Sequence, residues 1–262
     1  MKLAILQYYP KFGCVQANLD RISEMVDPVE ADLFILPELF ATGYIFEDRE
    51  ELVKFAEPLT GGLTYESLSA LSRKKNAAFI GGFPERDSDR IFNSAMFVPP
   101  EGKPISYRKI HLFDREKLYF EPGDKPFQVI EFRGAKLGIL ICFDWIFPES
   151  YRTLALKEAD LICHISNLVL PFCQKASYAH AVSNRVFIAV SNRTGSEENA
   201  GLRLNFTGQS ICYSPGGEVL TEFSENEESV HVISIDIKAA RAKFVTERNH
   251  VFRDRRPLFY EL

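Results

Sequence analysis

Cys142 closes an apolar run, Lys136-Leu-Gly-Ile-Leu-Ile-Cys142, that reads as a buried strand. The following Phe143-Asp-Trp-Ile-Phe-Pro148-Glu149-Ser150 reads as the start of a helix. A thiol at such a turn lies near backbone N–H groups and the positive end of a helix dipole, which favour a thiolate and can hold an oxyanion. Free cysteine is also a small buried apolar residue, so the turn needs partners before it implies chemistry. Glu38, in Leu36-Pro-Glu38-Leu-Phe40, directly follows another apolar strand. Burial amid Pro, Leu and Phe should raise its pKa, which suits a base that takes a thiol proton and returns it to a leaving amine. Lys109, in Tyr107-Arg-Lys109-Ile-His-Leu-Phe113, is flanked by apolar side chains and can point an ammonium into a cleft to offset oxyanion charge. Glu116 stands seven residues further on. A helix through this stretch would put it on the face of Lys109, where it could orient the lysine or the substrate. Each of the three also has a plain reading: a solvated strand-end glutamate, a basic loop, a surface ion-pair partner.

Other residues offer less. His111 and His180 stand in no Cys–His signature, and His111 beside Lys109 reads as structural. Gly81-Gly82 and Gly216-Gly217 are isolated pairs rather than phosphate loops, and no HExxH, Walker or dinucleotide pattern occurs. Asp144 and Asp160 lack clustered partners for a metal. The five cysteines, Cys14, Cys142, Cys163, Cys173 and Cys212, are scattered without paired metal spacing, which argues against a disulfide framework and a zinc site. No metal and no cofactor is therefore expected. A net charge of −5 gives no electrostatic footprint for nucleic acid or a membrane surface. No run approaches the ~20 apolar residues needed to cross a bilayer, and the apolar N-terminal stretch is too short for a signal peptide. A cytoplasmic location is the expectation.

The elements that must position these groups follow from the pattern. Residues 3–7, 31–36 and 77–82 read as strands, and 15–25 and 64–75 as helices. Segments 91–98 and 105–108 flank Pro99-Pro-Glu-Gly102 as a hairpin. Beyond Cys142 a helix spans 148–157 with Pro148 in its first turn, then come a strand 159–166, a helix 175–184 and a strand 186–191. Strands 208–213 and 219–223 flank Pro215-Gly-Gly217, and 230–237 follows. Strand runs that are apolar throughout imply sheets covered on both faces. The reading is an α/β layered fold with mixed sheets and outer helices, one domain over 1–262. The tail 249–260 mixes aromatics with charge and is either a solvated end or an arm that packs on a partner subunit.

Leu36-Pro37-Glu38, Tyr107-Arg108-Lys109-Ile110-His111-Leu112 and Ile141-Cys142-Phe143-Asp144, with Phe147-Pro148-Glu149 beyond, occur in this order. With Phe206-Thr-Gly208-Gln-Ser210 and Pro215-Gly-Gly217 near the C-terminus, the chain resembles the nitrilase superfamily of carbon–nitrogen hydrolases over essentially its whole length. The resemblance implies a four-layer αββα sandwich that forms a homodimer through helices and a C-terminal arm, about residues 245–262. It implies a Glu38–Lys109–Cys142 triad with Glu116 as the family's second glutamate, and a pocket lined by the loop 166–171 with Asn167. The Phe143 N–H would join Lys109 in holding the oxyanion. Nitrilases in the strict sense usually carry Trp-Glu after the cysteine. Phe143-Asp144 is closer to amidase-like branches, ω-amidase-type enzymes included. Trp145-Ile146 stands where N-carbamoyl amino-acid hydrolases carry an arginine pair. Trp145 and Tyr44 suggest a compact aromatic pocket for a small substrate, although Trp145 also reads as core packing. The implied activity is hydrolysis of a small aliphatic amide to an acid and ammonia. Aliphatic nitriles are the alternative, followed by N-carbamoyl amides and a non-catalytic binding protein of the same fold.

Overall fold

The alternating runs build two six-stranded sheets. The computed structural model describes residues 1–260. Its first half runs β1 (Lys2–Gln7), α1 (Val15–Val26), β2 (Leu33–Ile35), α2 (Arg49–Val53), α3 (Leu63–Lys75), β3 (Ala78–Asp87), β4 (Arg90–Val98) and β5 (Ile105–Arg108). The second half runs β6 (Val129–Phe132), β7 (Ala135–Ile141), α4 (Pro148–Leu156), β8 (Leu161–Ser166), α5 (Cys173–Asn184), β9 (Phe187–Asn192), β10 (Ser196–Asn199), β11 (Leu202–Asn205), β12 (Ile211–Tyr213), β13 (Val219–Glu222), β14 (Ser229–Ser234) and α6 (Lys238–Arg241). The sheet orders are β14-β1-β2-β3-β4-β5 and β13-β12-β9-β8-β7-β6. Both are mixed: β1, β2 and β3 are parallel, as are β7, β8 and β9, with antiparallel strands at the flanks.

Side-chain alternation sets the layers. Leu3, Ile5, Leu33, Ile35, Ala78 and Ile80 share one core with the strands of the second sheet. The residues between them, Ala4, Leu6, Phe34 and Phe79, pack instead with Leu19, Ile22 and Val26 of α1 and with Leu68 and Leu71 of α3. Tyr151 and Leu154 of α4 and Ala181 of α5 cover the outer face of the second sheet. The result is the expected αββα sandwich, with period-2 strands feeding two faces at once. No helix among the described residues is long and apolar enough to cross a membrane.

Three features that the sequence reading missed or left open have physical causes. The ribbon β10–β11, whose first strand Ser196–Asn199 has no apolar residue, turns through Ala200 and Gly201, both at positive φ. The 230–237 strand ends at Ser234 and crosses to pair with β1 in the first sheet, a choice set by non-local partners. The tail beyond α6 tucks Phe252 partly against the core, while Leu258 is 98% exposed. Residues 261–262 of the expected arm lie outside the described residues.

The topology brings four chain exits together. β2, β7 and β8 each end toward the same edge of the sandwich as β5, which runs with β3 because β4 reverses between them. Ligand sites in α/β folds collect at such carboxyl ends. A close approach keeps the β2 exit in place: a Cβ on Gly82 would meet the Leu39 amide nitrogen and lie 2.6 Å from Glu38 Cα. Backbone cannot yield as a flexible side chain would. Gly82→Ala is therefore expected to cost about 3 kcal/mol, the upper end for overpacking, read as a lower midpoint in urea unfolding with an unchanged slope.

Candidate active site

The Glu38 turn begins where β2 leaves its sheet. Leu36 N still donates to Ile80 O at 2.8 Å, but Leu39 adopts φ 46° and folds the chain back so that Phe40 N reaches Gly82 O at 3.2 Å. This turn buries Glu38 completely. Its Oε1 accepts from Asn93 Nδ2 at 2.7 Å and from Lys109 Nζ at 2.8 Å. Its Oε2 is buried without a hydrogen-bond partner among the described residues. Lys109, just past β5, is equally buried, and its Nζ also donates to Glu116 Oε1 at 2.7 Å. Asn93 ties base to lysine a second time, since its carbonyl accepts from Lys109 N at 2.8 Å.

Lys109 and Glu116 meet, but not as two turns of one helix. The Lys109 amide and carbonyl are engaged by Asn93 and Gly123, so the residue stays extended, and only Asp114–Leu118 forms a short 3-10 turn. Glu116 Oε1 also accepts from the Tyr44 hydroxyl at 2.7 Å, and Oε2 accepts from Phe113 N at 3.1 Å. Tyr44 thus reaches the site through Glu116.

Cys142 sits at the end of β7 with φ 41° and opens a 3-10 turn, Cys142–Ile146, before α4 starts at Pro148. A left-handed conformation in a non-glycine residue costs on the order of 1–3 kcal/mol and persists where surroundings impose it. Two side chains do so. Asp144 Oδ2 accepts from Ile141 N at 2.9 Å and from the Tyr107 hydroxyl at 2.7 Å. Its Oδ1 faces His111 Nδ1 at 2.7 Å, tying the cysteine turn to the lysine loop and giving His111 the structural role read from its context. His164 Nε2 lies 2.9 Å from Cys142 O, and the Tyr151 hydroxyl 2.7 Å from His164 Nδ1. A carbonyl only accepts, so Nε2 carries the hydrogen and Tyr151 donates to Nδ1.

The thiol opens on a narrow cleft lined by Phe113, Phe143, Trp145, Asn167, Leu168, Val169 and Leu170. The Asn167 carbonyl is 3.8 Å from Sγ, and neither Asn167 side-chain polar atom has a partner among the described residues. Trp145 both lines this cleft and packs on the core.

The carbon-nitrogen hydrolase family profile matches residues 2–243. The chain belongs to that family. Among similar proteins, one called a nitrilase in Pyrococcus abyssi is 41% identical, with 99% of each chain covered. An (R)-stereoselective amidase of a Pseudomonas species is 32% identical over 93% of this chain and 89% of its own. In structure, a carbon–nitrogen hydrolase superfamily protein from Xanthomonas campestris matches with a TM-score of 0.83 at 24% identity, covering 92% of both chains. An amidase from a Nesterenkonia species matches with a TM-score of 0.77 at 25% identity over 92% of both.

In this carbon–nitrogen hydrolase, charge follows burial. Burial, then the Glu38 charge, pushes the Cys142 thiol well above its ordinary value, and Lys109 opposes only in part. The sulfur therefore rests as a thiol rather than the thiolate expected from a helix dipole. The turn is a short 3-10 segment, and two nearby carboxylates outweigh it. Burial would lower Lys109, but Glu116 and Glu38 hold it well above its usual value, so it remains an ammonium. Burial also raises Glu116 against the pull of Lys109. The arrangement lets a proton pass from Sγ to Glu38 while the cluster's net charge stays constant.

Asn93 and His164 carry no motif, yet each is a polar residue within an otherwise largely apolar strand run, Asn93 beside Ser94, a signal that marks a buried group with a fixed partner. Burial lowers the His164 pKa from 6.5 to about 4. Between those values the unfolded chain binds a proton that the folded one refuses, so stability falls as pH drops from 6.5 to 4. The loss from this group is about 3 kcal/mol. His164→Gln cannot take that proton. Urea unfolding at pH 7 and pH 4 is expected to show the parent losing more stability than the variant by about that amount.

Proposed function

We propose that the enzyme hydrolyses the C–N bond of a small aliphatic amide, ω-amides of short acids included, with Cys142 as nucleophile, Glu38 as proton carrier and Lys109 as oxyanion partner. One observation carries this reading: a buried thiol on a left-handed turn faces a buried Glu–Lys–Glu cluster at the end of a narrow cleft. Glu38 takes the thiol proton as sulfur attacks the carbonyl carbon. The carbonyl oxygen becomes an oxyanion held by Lys109 Nζ and the Phe143 N–H. Phe143 lies at the start of the 3-10 turn, where N–H groups lack acceptors within the turn. Collapse of the adduct breaks the C–N bond, and Glu38 gives its proton to the departing ammonia. The thioester left on Cys142 is then attacked by a water whose proton passes to Glu38. Release of the acid returns that proton to sulfur.

Glu116 and Tyr44 act at one remove: the carboxylate shares the Lys109 ammonium, and the hydroxyl holds that carboxylate. Phe143, Trp145 and Asn167 form the substrate walls, with the unpartnered Asn167 amide available to an amide or carboxylate. A nitrile is the second reading, supported by the 41% identical Pyrococcus relative that bears the name nitrilase. We also take the chain as one domain, since both sheets share a core, and as a homodimer, for which exposed Ile146, Phe172, Tyr178, Leu258 and Phe259 supply apolar surface.

The deciding experiment is ammonia release over small amides, ω-amides of 2-oxo acids, N-carbamoyl amino acids and aliphatic nitriles. Small amides should be the fastest and nitriles the slower class. Nitriles turned over faster than every amide would reverse the order of the two readings. Cys142→Ala should abolish release, and Lys109→Ala should lower kcat/KM by ~100- to 1000-fold, the usual cost of a lost oxyanion donor. Activity of Lys109→Ala within a few-fold of the parent would remove Lys109 from the mechanism.

A further inference from the structure

His164 is fully buried in β8, bonded on both ring nitrogens, and unused by the steps above. It does not touch the thiol as a Cys–His base would. Its contact is the main-chain oxygen of Cys142, at 2.9 Å. That oxygen and the Phe143 N–H belong to one peptide unit, and a trans peptide is planar with its C=O and N–H pointing opposite ways. Whatever holds the oxygen on one side therefore aims the N–H on the other. We propose that His164 is a positioning residue of the oxyanion site: its Nε2–H orients and polarises the Cys142–Phe143 peptide so that the Phe143 N–H is presented to the reacting oxygen.

Four further observations support this role, which rests on the proposed function above. The donors run in one direction, from the Tyr151 hydroxyl to His164 Nδ1, from Nε2–H to Cys142 O, and through the peptide to the Phe143 N–H. In a buried chain each such bond strengthens the next. The tautomer is determined, because Cys142 O can only accept and Tyr151 supplies the hydrogen at Nδ1; Cys173 Sγ, 4.0 Å from Nδ1, is too distant to displace it. Cys142 also needs an external hold, since φ 41° is not a conformation that this residue keeps alone. Register places the imidazole for the task. His164 pairs with Leu140 across the β7–β8 ladder, so it lies beside the last residues of β7 and within reach of the turn that follows.

The test separates aiming an oxyanion donor from merely packing behind the nucleophile. Amide hydrolysis develops an oxyanion, whereas alkylation of Cys142 by iodoacetamide at its CH2 carbon does not. His164→Leu is expected to lower kcat for the best amide about tenfold, with KM and the Cys142 alkylation rate within about threefold of the parent. His164→Gln, which keeps an N–H donor, should recover most of kcat. Hydrolysis and alkylation that fall in step, or His164→Leu hydrolysis equal to the parent, would overturn the proposal. If His164→Leu does not fold, Tyr151→Phe decides. Without the Tyr151 donor the hydrogen stays on Nε2, the ring nitrogen that faces an acceptor, but that bond loses the polarisation the hydroxyl supplied, so a fall in hydrolysis without a matching fall in alkylation is expected, and unchanged hydrolysis overturns the role. Cys142→Ala serves as the control. Undiminished hydrolysis there sinks the reading of the site and this role with it, whereas unaffected His164 and Tyr151 variants sink this role alone.

Discussion

The Lys109 ammonium, held between two carboxylates with no exposed surface on any of the three, is the interaction on which the rest of the site depends. Burying these charges costs several kcal/mol per ion, and removing one partner of a buried pair typically costs about 3–5 kcal/mol. Such a cluster survives only where every remaining lone pair is engaged or has a use. Asn93 and Tyr44 fill one oxygen on each carboxylate, and the Phe113 amide fills a second on Glu116. Glu38 Oε2 is the oxygen left over, and in the proposed reaction it is the one that takes the thiol proton.

That cluster explains why the two sheets must stack in one register. Glu38 and Lys109 come from the first sheet, whereas Cys142 comes from the second. Packing between sheets alone would let them slide by fractions of a side chain, and a site for covalent chemistry does not tolerate that. Asp144 supplies the tie. It binds the amide ahead of Cys142 and, across the sheet interface, the Tyr107 hydroxyl and His111. A carboxylate two residues beyond the nucleophile thereby couples the strained turn to the lysine loop.

Much of this was readable in the chain. Glu38 follows an apolar run, Cys142 closes one, and Lys109 follows the hairpin strand 105–108, so their place at strand ends was visible from pattern alone. Runs too apolar to have a solvated face implied mixed sheets covered on both sides, and the family resemblance implied their four-layer αββα stacking. What stayed hidden was set by partners distant in sequence. The spacing of Lys109 and Glu116 suggested a helix, but Asn93 and Gly123 claim the Lys109 backbone and keep it extended. The pairing of β14 with β1 joins opposite ends of the chain, and no local pattern encodes it. Glu197, on a strand with no apolar residue, accepts from the Tyr44 and Ile45 amides and pairs with buried Arg193, so it holds the loop that carries Tyr44. The resting thiol was misjudged for a related reason: the dipole argument weighed a helix that starts only at Pro148, and burial beside Glu38 is the larger effect.

In the mechanism we propose, the same charge balance accounts for a carboxylate base where other cysteine hydrolases use imidazole. A histidine base is neutral at rest and becomes a cation as the thiol ionises, and Lys109 would repel it. Glu38 starts as an anion and becomes neutral, so the thiolate replaces a carboxylate charge already matched to Lys109. Proton transfer to ammonia restores Glu38, and the attack of water repeats the exchange. Each half-reaction thus begins and ends with the same buried charge, and no step carries a net charge into or out of a low-dielectric site. His164 fits this requirement because burial keeps it neutral. It can then supply a hydrogen bond behind the nucleophile without adding a second cation to a site balanced around one.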